Sequence, residues 1–279
     1  MTEKLRKANE SDLRELKKLW LRCFDDSEKA VELFFERNKN ICNAYLAAEG
    51  EKTAAAVYFI NCALNGKKAH YLCGAATLPE FRKRGIMSRL IEYALNDAES
   101  RGDVFSVLLP ANRELYDFYG RLGYKPCCSV CGAVFDRSEL ESDCADELKA
   151  AESSDFERIQ LECRKNNFLL QNNNFIGFAK KYYSCYGVRT AESQNALAFF
   201  EEENGVCTVF YTIYNDIKEL KTLLLKSSSA KSFVIFGKSG EDIFNNSNKE
   251  IKPKIHGMAK ALKPNEPLPD DIYIGITME

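Results

Sequence analysis

Apolar positions in the first half of the chain switch repeatedly between helical and strand periods. Leu13, Leu16, Leu19 and Trp20 recur at helical spacing in ESDLRELKKLWLRCF, with Ser11 or Asp12 placed to cap the helix. AVELFFERN predicts a short second helix, and AYLAAE and TAAAVYFINCAL read as strands joined by GEK. The strand KKAHYLCGAATL stops at Pro79. GIMSRLIEYALNDAESRG then sets Ile86, Leu90, Ile91, Ala94 and Leu95 on one face of an amphipathic helix closed by Gly102. VFSVLLP reads as a buried strand and NRELYDFYGRLG as a short helix capped by Asn112, with Gly123 just past its end. With SVCGAVFD as a last strand, residues 1–137 form an α/β layered domain.

The second half opens as the first does. LRKANESDLREL from Leu5 and LKAAESSDFERI from Leu148 align without gaps and keep their apolar positions. A helix near FIGFAKKYYSCYG follows, then strands NALAFFEEE and VCTVFYTIY, a helix DIKELKTLLLKSS, and strands SFVIFG, KIHGMAKAL and DIYIGITM. This order predicts a repeat of the same fold over residues 146–279. The acidic segment DRSELESDCADE is the expected linker, and most of KSGEDIFNNSNKEIKPK the expected polar loop.

Composition adds exclusions. The 279 residues are 45% hydrophobic and 29% charged, with a net charge of −2, so no global field draws the chain to nucleic acid or to a membrane surface. No apolar run spans a bilayer and MTEKLRKANESDL lacks the core of a signal peptide, so the expected location is cytoplasmic. Eleven scattered cysteines then read as thiols in a reducing compartment. Cys127, Cys128 and Cys131 contain one CxxC, but with two histidines and no second CxxC the expectation is no metal. His70 and His256 fall on no motif and read as structural.

One stretch carries chemistry. TLPEFRKRGIMSRL places Arg82, Lys83, Arg84 and Arg89 between a buried strand and a helix start. Such a junction presents backbone N–H groups without intrahelical partners at the positive end of the helix dipole. Gly85 lets the backbone approach a ligand, and Ser88 adds a hydroxyl, which together suit a diphosphate.

These residues resemble the acetyl-CoA loop of the Gcn5-related N-acetyltransferases (GNAT), Q/RxxGxG/A, with Arg82 first and Gly85 fourth; Met87 departs from the pattern at the sixth place. LLPANRELYDFYGRLGYKP is similar to that family's second cofactor segment. The two together, with IHGMAKALKP near the end, resemble most the Eis-like branch of tandem GNAT proteins, without the sterol-carrier-like third domain, for which 279 residues leave no room. The resemblance implies an α/β fold of two tandem GNAT-like domains, each a mixed, mostly antiparallel sheet flanked by helices. The first would be catalytic and the second degenerate, without a CoA loop.

The resemblance also implies roles. Ala75, Ala76 and Thr77 would pair through their backbones with pantetheine. Arg82, Lys83, Arg84, Gly85, Ile86, Met87 and Ser88 would surround the diphosphate, and Asn112 would approach the pantetheine arm. Tyr119 would stand beside the thioester sulfur as general acid, with Tyr116 in reserve. The attacking amine must lose a proton, a requirement worth roughly 4–5 kcal/mol at pH 7 for an alkyl-ammonium. Many relatives supply a carboxylate from the fourth strand, whereas YLCGAATLP offers Cys73 and Gly74. The alternatives are a water held by backbone carbonyls or a carboxylate from elsewhere; in Eis-like enzymes the C-terminal carboxylate does this, which here points to Glu279. Asp25, Asp26, Glu28 and Glu32 beside Phe24, Phe34 and Phe35 have the composition to attract a cationic amine. The expected activity is acetyl transfer from acetyl-CoA to a primary amine of a polyamine, aminoglycoside-like compound or lysine, in a protein with room for homo-oligomerisation. The alternative is a CoA-sensing or interaction module without chemistry.

Overall fold

The computed structural model describes residues 3–152, 155–163, 166–245, 247 and 249–278. It divides into two compact units. The first holds residues 1–126, 257–269 and 277–279, and the second 127–256 and 270–276.

The first unit opens with β1 (Lys4–Lys7), α1 (Leu13–Cys23) and α2 (Glu28–Ile41). Neither Ser11 nor Asp12 caps α1 through its side chain. Asn9 caps the 3-10 turn that precedes it, while Asp12 accepts from the Asn9 N–H at 2.8 Å and both guanidinium nitrogens of Arg6 at 2.6 Å. Then come β2 (Cys42–Glu49), β3 (Lys52–Leu64), β4 (Lys67–Thr77), α3 (Ile86–Ser100), β5 (Phe105–Leu108) and α4 (Arg113–Arg121). β1 through β4 pair antiparallel in sequence order, and β5 joins β4 in parallel across the α3 crossover. Leu90, Ile91 and Ala94 of α3 are buried, which is where the helical period put the apolar face. Trp20, Phe34, Phe35 and Tyr58 form an aromatic core between the first two helices and the sheet.

Into the second unit run β6 (Lys125–Asp136), α5 (Arg137–Glu141), α6 (Asp155–Cys163), β7 (Leu169–Gln171) and α7 (Asn173–Ser184). β8 (Arg189–Ser193), β9 (Ala196–Glu203), β10 (Val206–Tyr214), α8 (Ile217–Ser227), β11 (Ser232–Gly237) and β12 (Glu250–Ala261) complete the order. β8, β9 and β10 pair antiparallel, β10 and β11 pair in parallel across α8, and β11 pairs antiparallel with β6. Each unit therefore repeats one design: a mostly antiparallel sheet whose single parallel pair brackets a helix, β4–α3–β5 in the first and β10–α8–β11 in the second. Even the irregularities correspond. β4 carries an extra residue at Gly74–Ala75 opposite Val57, and β10 carries one at Phe210.

Three readings change. KIHGMAKAL is a strand, but its end, Met258–Ala261, pairs antiparallel with β5 in the first unit. DIYIGITM is no continuous strand: Ile272 and Tyr273 each make a single bridge, to Cys128 and Phe168. The linker segment contains α5, whose start is fixed by a capping box between Asp136 and Glu139.

No helix among the described residues is long and apolar enough to cross a membrane, and no group of three metal-ligating side chains occurs among them.

Candidate active site

Parallel pairing of β4 with β5 runs from Ala69↔Phe105 to Leu72↔Leu108, where β5 ends. β4 continues for five residues, Cys73 to Thr77, held on its other side by β3. The bulge at Gly74–Ala75 increases local twist where this pairing with β5 stops. Ala75, Ala76 and Thr77 therefore lie beyond the paired part of the β4–β5 ladder. That is the geometry an extended ligand needs to add as a strand.

Gly74 is required at the bulge. Its φ is +58°, and a Cβ there would stand 2.6 Å from the Trp20 ring and 2.8 Å from that of Tyr58. The space beside Gly74 is thus filled by aromatic side chains.

Beyond Pro79 the chain makes one 3-10 turn that buries Phe81, then turns through Lys83 at φ +60° and Gly85 at φ +72° into α3. Gly85 is the N-cap and offers no side-chain hydrogen bond, and no acidic residue occupies the first turn. The backbone N–H groups of Ile86, Met87 and Ser88 have no intrahelical acceptor. Ile86 is buried, Met87 and Ser88 are half-buried, and Arg82, Lys83 and Arg84 are exposed. Arg82 Nε donates to Thr77 O at 3.0 Å, tying the loop to the end of β4. Cys23 Sγ approaches the same oxygen at 3.6 Å; its burial raises the thiol pKa against the opposing pull of Arg82.

The second unit supplies an internal contrast. At the equivalent crossover, Asp216 caps α8, its carboxylate accepting from Lys218 N at 2.8 Å and Glu219 N at 3.4 Å. A protein carboxylate already occupies the helix start that α3 leaves open, so this end of α8 is no anion site.

After β5, Asn112 caps α4, its side-chain oxygen accepting from Leu115 N at 3.1 Å. Its amide nitrogen is the part left to reach a ligand. Tyr119, on the same helix, is buried with its ring against Phe118 and Tyr124 at 5.0 and 5.8 Å between centroids. Tyr124 OH lies 2.6 Å from Ser106 Oγ, and burial raises its pKa. Tyr116 is half-buried one turn earlier. Glu279 lies outside the described residues.

Of the acids around α2, two have partners within the protein. Asp26 accepts from Trp20 Nε1 at 2.6 Å, Glu32 is paired with Lys17, and Phe34 and Phe35 are buried in the aromatic core. Asp25 and Glu28 remain exposed. Phe175, Phe178 and Tyr182 likewise belong to the core of the second unit. A cleft of about 550 Å³ in that unit is lined by Glu162, Phe168, Tyr214, Lys238 and Asp242. Its charged groups are engaged within the protein: Glu162 with Arg158 and Asn215, Asp242 with Tyr214 OH, and Lys238 with Asp271.

His70 is fully buried at the start of β4, with Nδ1 2.8 Å from Asp103 and its ring stacked 3.9 Å from Phe59. No disulfide joins the described cysteines. Burial pushes the Cys131 thiol up to about 11.

Comparison with known proteins bears on both units. A family model described as acetyltransferase (GNAT) domain matches residues 4–127. No curated protein matches the sequence. Among solved structures, a GCN5-related N-acetyltransferase from Kribbella flavida superposes with a TM-score of 0.71 at 16% identity, over 93% of this chain and 71% of that one. A probable N-acyltransferase from Enterococcus faecalis gives 0.73 at 16% identity, over 94% and 73%. Eis1 from Mycobacterium abscessus gives 0.70 at 10% identity, over 93% and 74%. At these identities the likeness is one of fold, and it extends over both units.

Proposed function

We propose, from the match of residues 4–127 to the GNAT acetyltransferase domain model, that the chain is an acetyl-CoA-dependent N-acetyltransferase acting on a primary amine. The observation that carries this reading is the start of α3. An uncapped helix N-terminus, a glycine in the left-handed region and a run of basic residues directly follow the part of β4 beyond its pairing with β5. In this reading the pantetheine arm adds along Ala75–Thr77, the diphosphate rests on Arg82–Ser88, and the amide of Asn112 meets the arm.

The acceptor is an amine of a polyamine, an aminoglycoside-like compound or a lysine. Its neutral nitrogen attacks the thioester carbonyl. The tetrahedral intermediate then collapses to the amide and expels the CoA thiolate, which takes its proton from Tyr119, and the proton that the nitrogen loses on becoming an amide restores the Tyr119 phenol. A phenol of reference pKa near 10 is protonated at pH 7 and can protonate a departing thiolate of reference pKa about 8.5. With Cys73 and Gly74 rather than a carboxylate on this part of β4, the proton of the ammonium passes to water held by backbone carbonyls or to a carboxylate from elsewhere, for which the C-terminal Glu279 is the candidate.

The second reading, a CoA-binding module without turnover, is favoured by that same missing carboxylate. Thiol release from acetyl-CoA across a panel of polyamines, aminoglycosides and lysine peptides decides between them. Turnover with any amine supports the transferase, whereas CoA binding without turnover on the whole panel supports the module. A Gly85→Asp variant that binds CoA as the wild type does would sink the loop assignment under either.

A further inference from the structure

α4 carries Tyr119 but anchors it poorly. The helix has nine residues and Tyr119 is the one it buries, so no apolar face packed on the core fixes its place. A helix this short is also marginal by itself. Whatever holds the phenol still must therefore act at the ends of α4, and Asn112 serves the first of them.

At the other end stands Lys260 of β12, within the same unit. Its ammonium donates to Leu122 O at 2.7 Å. That oxygen is one of the carbonyls a helix end leaves without an intrahelical donor, and the positive charge meets the negative end of the helix dipole. The lysine stem lies against Gly123, with Cε and Nζ each 3.5 Å from where a Cβ would stand, and at φ +87° Gly123 turns the chain. Tyr124 follows, buried, its hydroxyl 2.6 Å from Ser106 Oγ.

Lys260 and Ser106 are partners in the β12–β5 register, so both side chains leave one face of the sheet at one level. A single rung of the sheet thus grips Leu122, Gly123 and Tyr124. These residues are bonded to Tyr119 itself: Leu122 N and Tyr124 N donate to Tyr119 O at 3.0 and 3.2 Å.

Resting on the reading of Tyr119 as general acid, we propose that Lys260 is a positioning residue for acetyl transfer, holding the end of α4 through Leu122 O so that the Tyr119 phenol keeps its aim at the departing sulfur. It acts through the turn and not on the reactants.

The test is steady-state kinetics on the full chain, with calorimetry of CoA binding alongside. Lys260→Met keeps a stem of similar length and removes the donor, whereas Lys260→Arg keeps a cationic donor. We expect Lys260→Met to lower kcat roughly 10–100-fold, the scale of a small misplacement of a reacting group, with CoA affinity close to wild type. Lys260→Arg should recover most of that loss. A role in stability alone would lower the melting temperature and leave kcat per folded molecule intact. In a Tyr119→Phe background, Lys260→Met should lower kcat no further, because both changes remove the same proton transfer. Unchanged kcat in Lys260→Met would overturn the proposal, as would a loss that multiplies with that of Tyr119→Phe. Full kcat in Tyr119→Phe alone would instead remove the general-acid reading, and this proposal with it, as would CoA binding without turnover on the whole amine panel.

Discussion

Met258 stands opposite Leu108 in antiparallel register, although the two are far apart in the chain, so the last strand completes the sheet of the first unit. The attachment extends beyond that pair. Leu262 N donates to Val104 O at 2.8 Å, Lys260 Nζ to Leu122 O at 2.7 Å, and Lys67 pairs with Glu266 at 2.6 Å. Ala259, opposite Val107, is fully buried. Ala259→Asp should therefore destabilise the protein by about 3–5 kcal/mol, the scale of an unpaired buried charge. A fragment ending at Arg137, which lacks this strand, should melt well below the full chain. Circular dichroism melts measure both, and a fragment as stable as the full protein would contradict the role of β12.

Gly74 offers a sharper test of the bulge. Its left-handed φ and the 2.6 Å approach of Trp20 to the absent Cβ both oppose any side chain. Gly74→Ala should cost about 2–4 kcal/mol from left-handed strain and overpacking together. Urea denaturation reads this directly. A neutral substitution would mean that Trp20 gives way, and that a carboxylate could be installed there after all.

The parts of this architecture legible in the sequence were those governed by local rules. The apolar period of α3, the cap at Asn112 and the position of Gly85 all follow from residues within one or two turns. β7 and β8 went unread because they are only three and five residues long. DIYIGITM looks like a strand by composition, yet Gly275 at φ +76° interrupts it, with the Tyr211 ring 2.5 Å from where a Cβ would be. The partners of long-range pairs were invisible for the same reason. Nothing near Arg84 or Arg89 announces their ion-pair partners Glu49 and Glu3, and nothing near β5 announces Met258. Nothing in the composition of acids and aromatics around α2 announces that Asp26 meets Trp20 and Glu32 meets Lys17.

His70 gives the fold a pH dependence of definite sign. Burial holds its imidazole below the ordinary histidine value, outweighing the raising effect of Asp103, and Arg101 pulls in the same direction as burial. Its Nε2 has no hydrogen-bond partner among the described residues, so protonation would place an unsatisfied charge in the core. Between the depressed folded pKa and the unfolded value of about 6.5, the unfolded chain binds more protons than the folded one. Stability from this group is therefore full above about pH 6.5 and is lost as pH falls through the folded pKa. Urea midpoints at successive pH values from 7.5 to 5.0 should decline, and His70→Gln, though less stable overall, should show a shallower decline. An equal slope in the variant would assign the effect to other groups.

Tyr119 carries the chemical prediction. It is buried on α4, the helix that follows the end of β5, and its ring contacts those of Phe118 and Tyr124. If its phenol protonates the departing thiolate, Tyr119→Phe removes one oxygen and leaves those ring contacts in place. The expected result is a fall in kcat on the scale of roughly 10²–10⁴-fold for loss of general acid catalysis, with CoA affinity close to wild type. Because a thiolate is a better leaving group than an alkoxide, a thioester of a more acidic thiol should depend less on this proton. Acetyl transfer from such a thioester should therefore suffer less from the substitution than transfer from acetyl-CoA does. Full kcat in Tyr119→Phe would dismiss the assignment, and a loss confined to Tyr116→Phe would move the acid one turn earlier along α4.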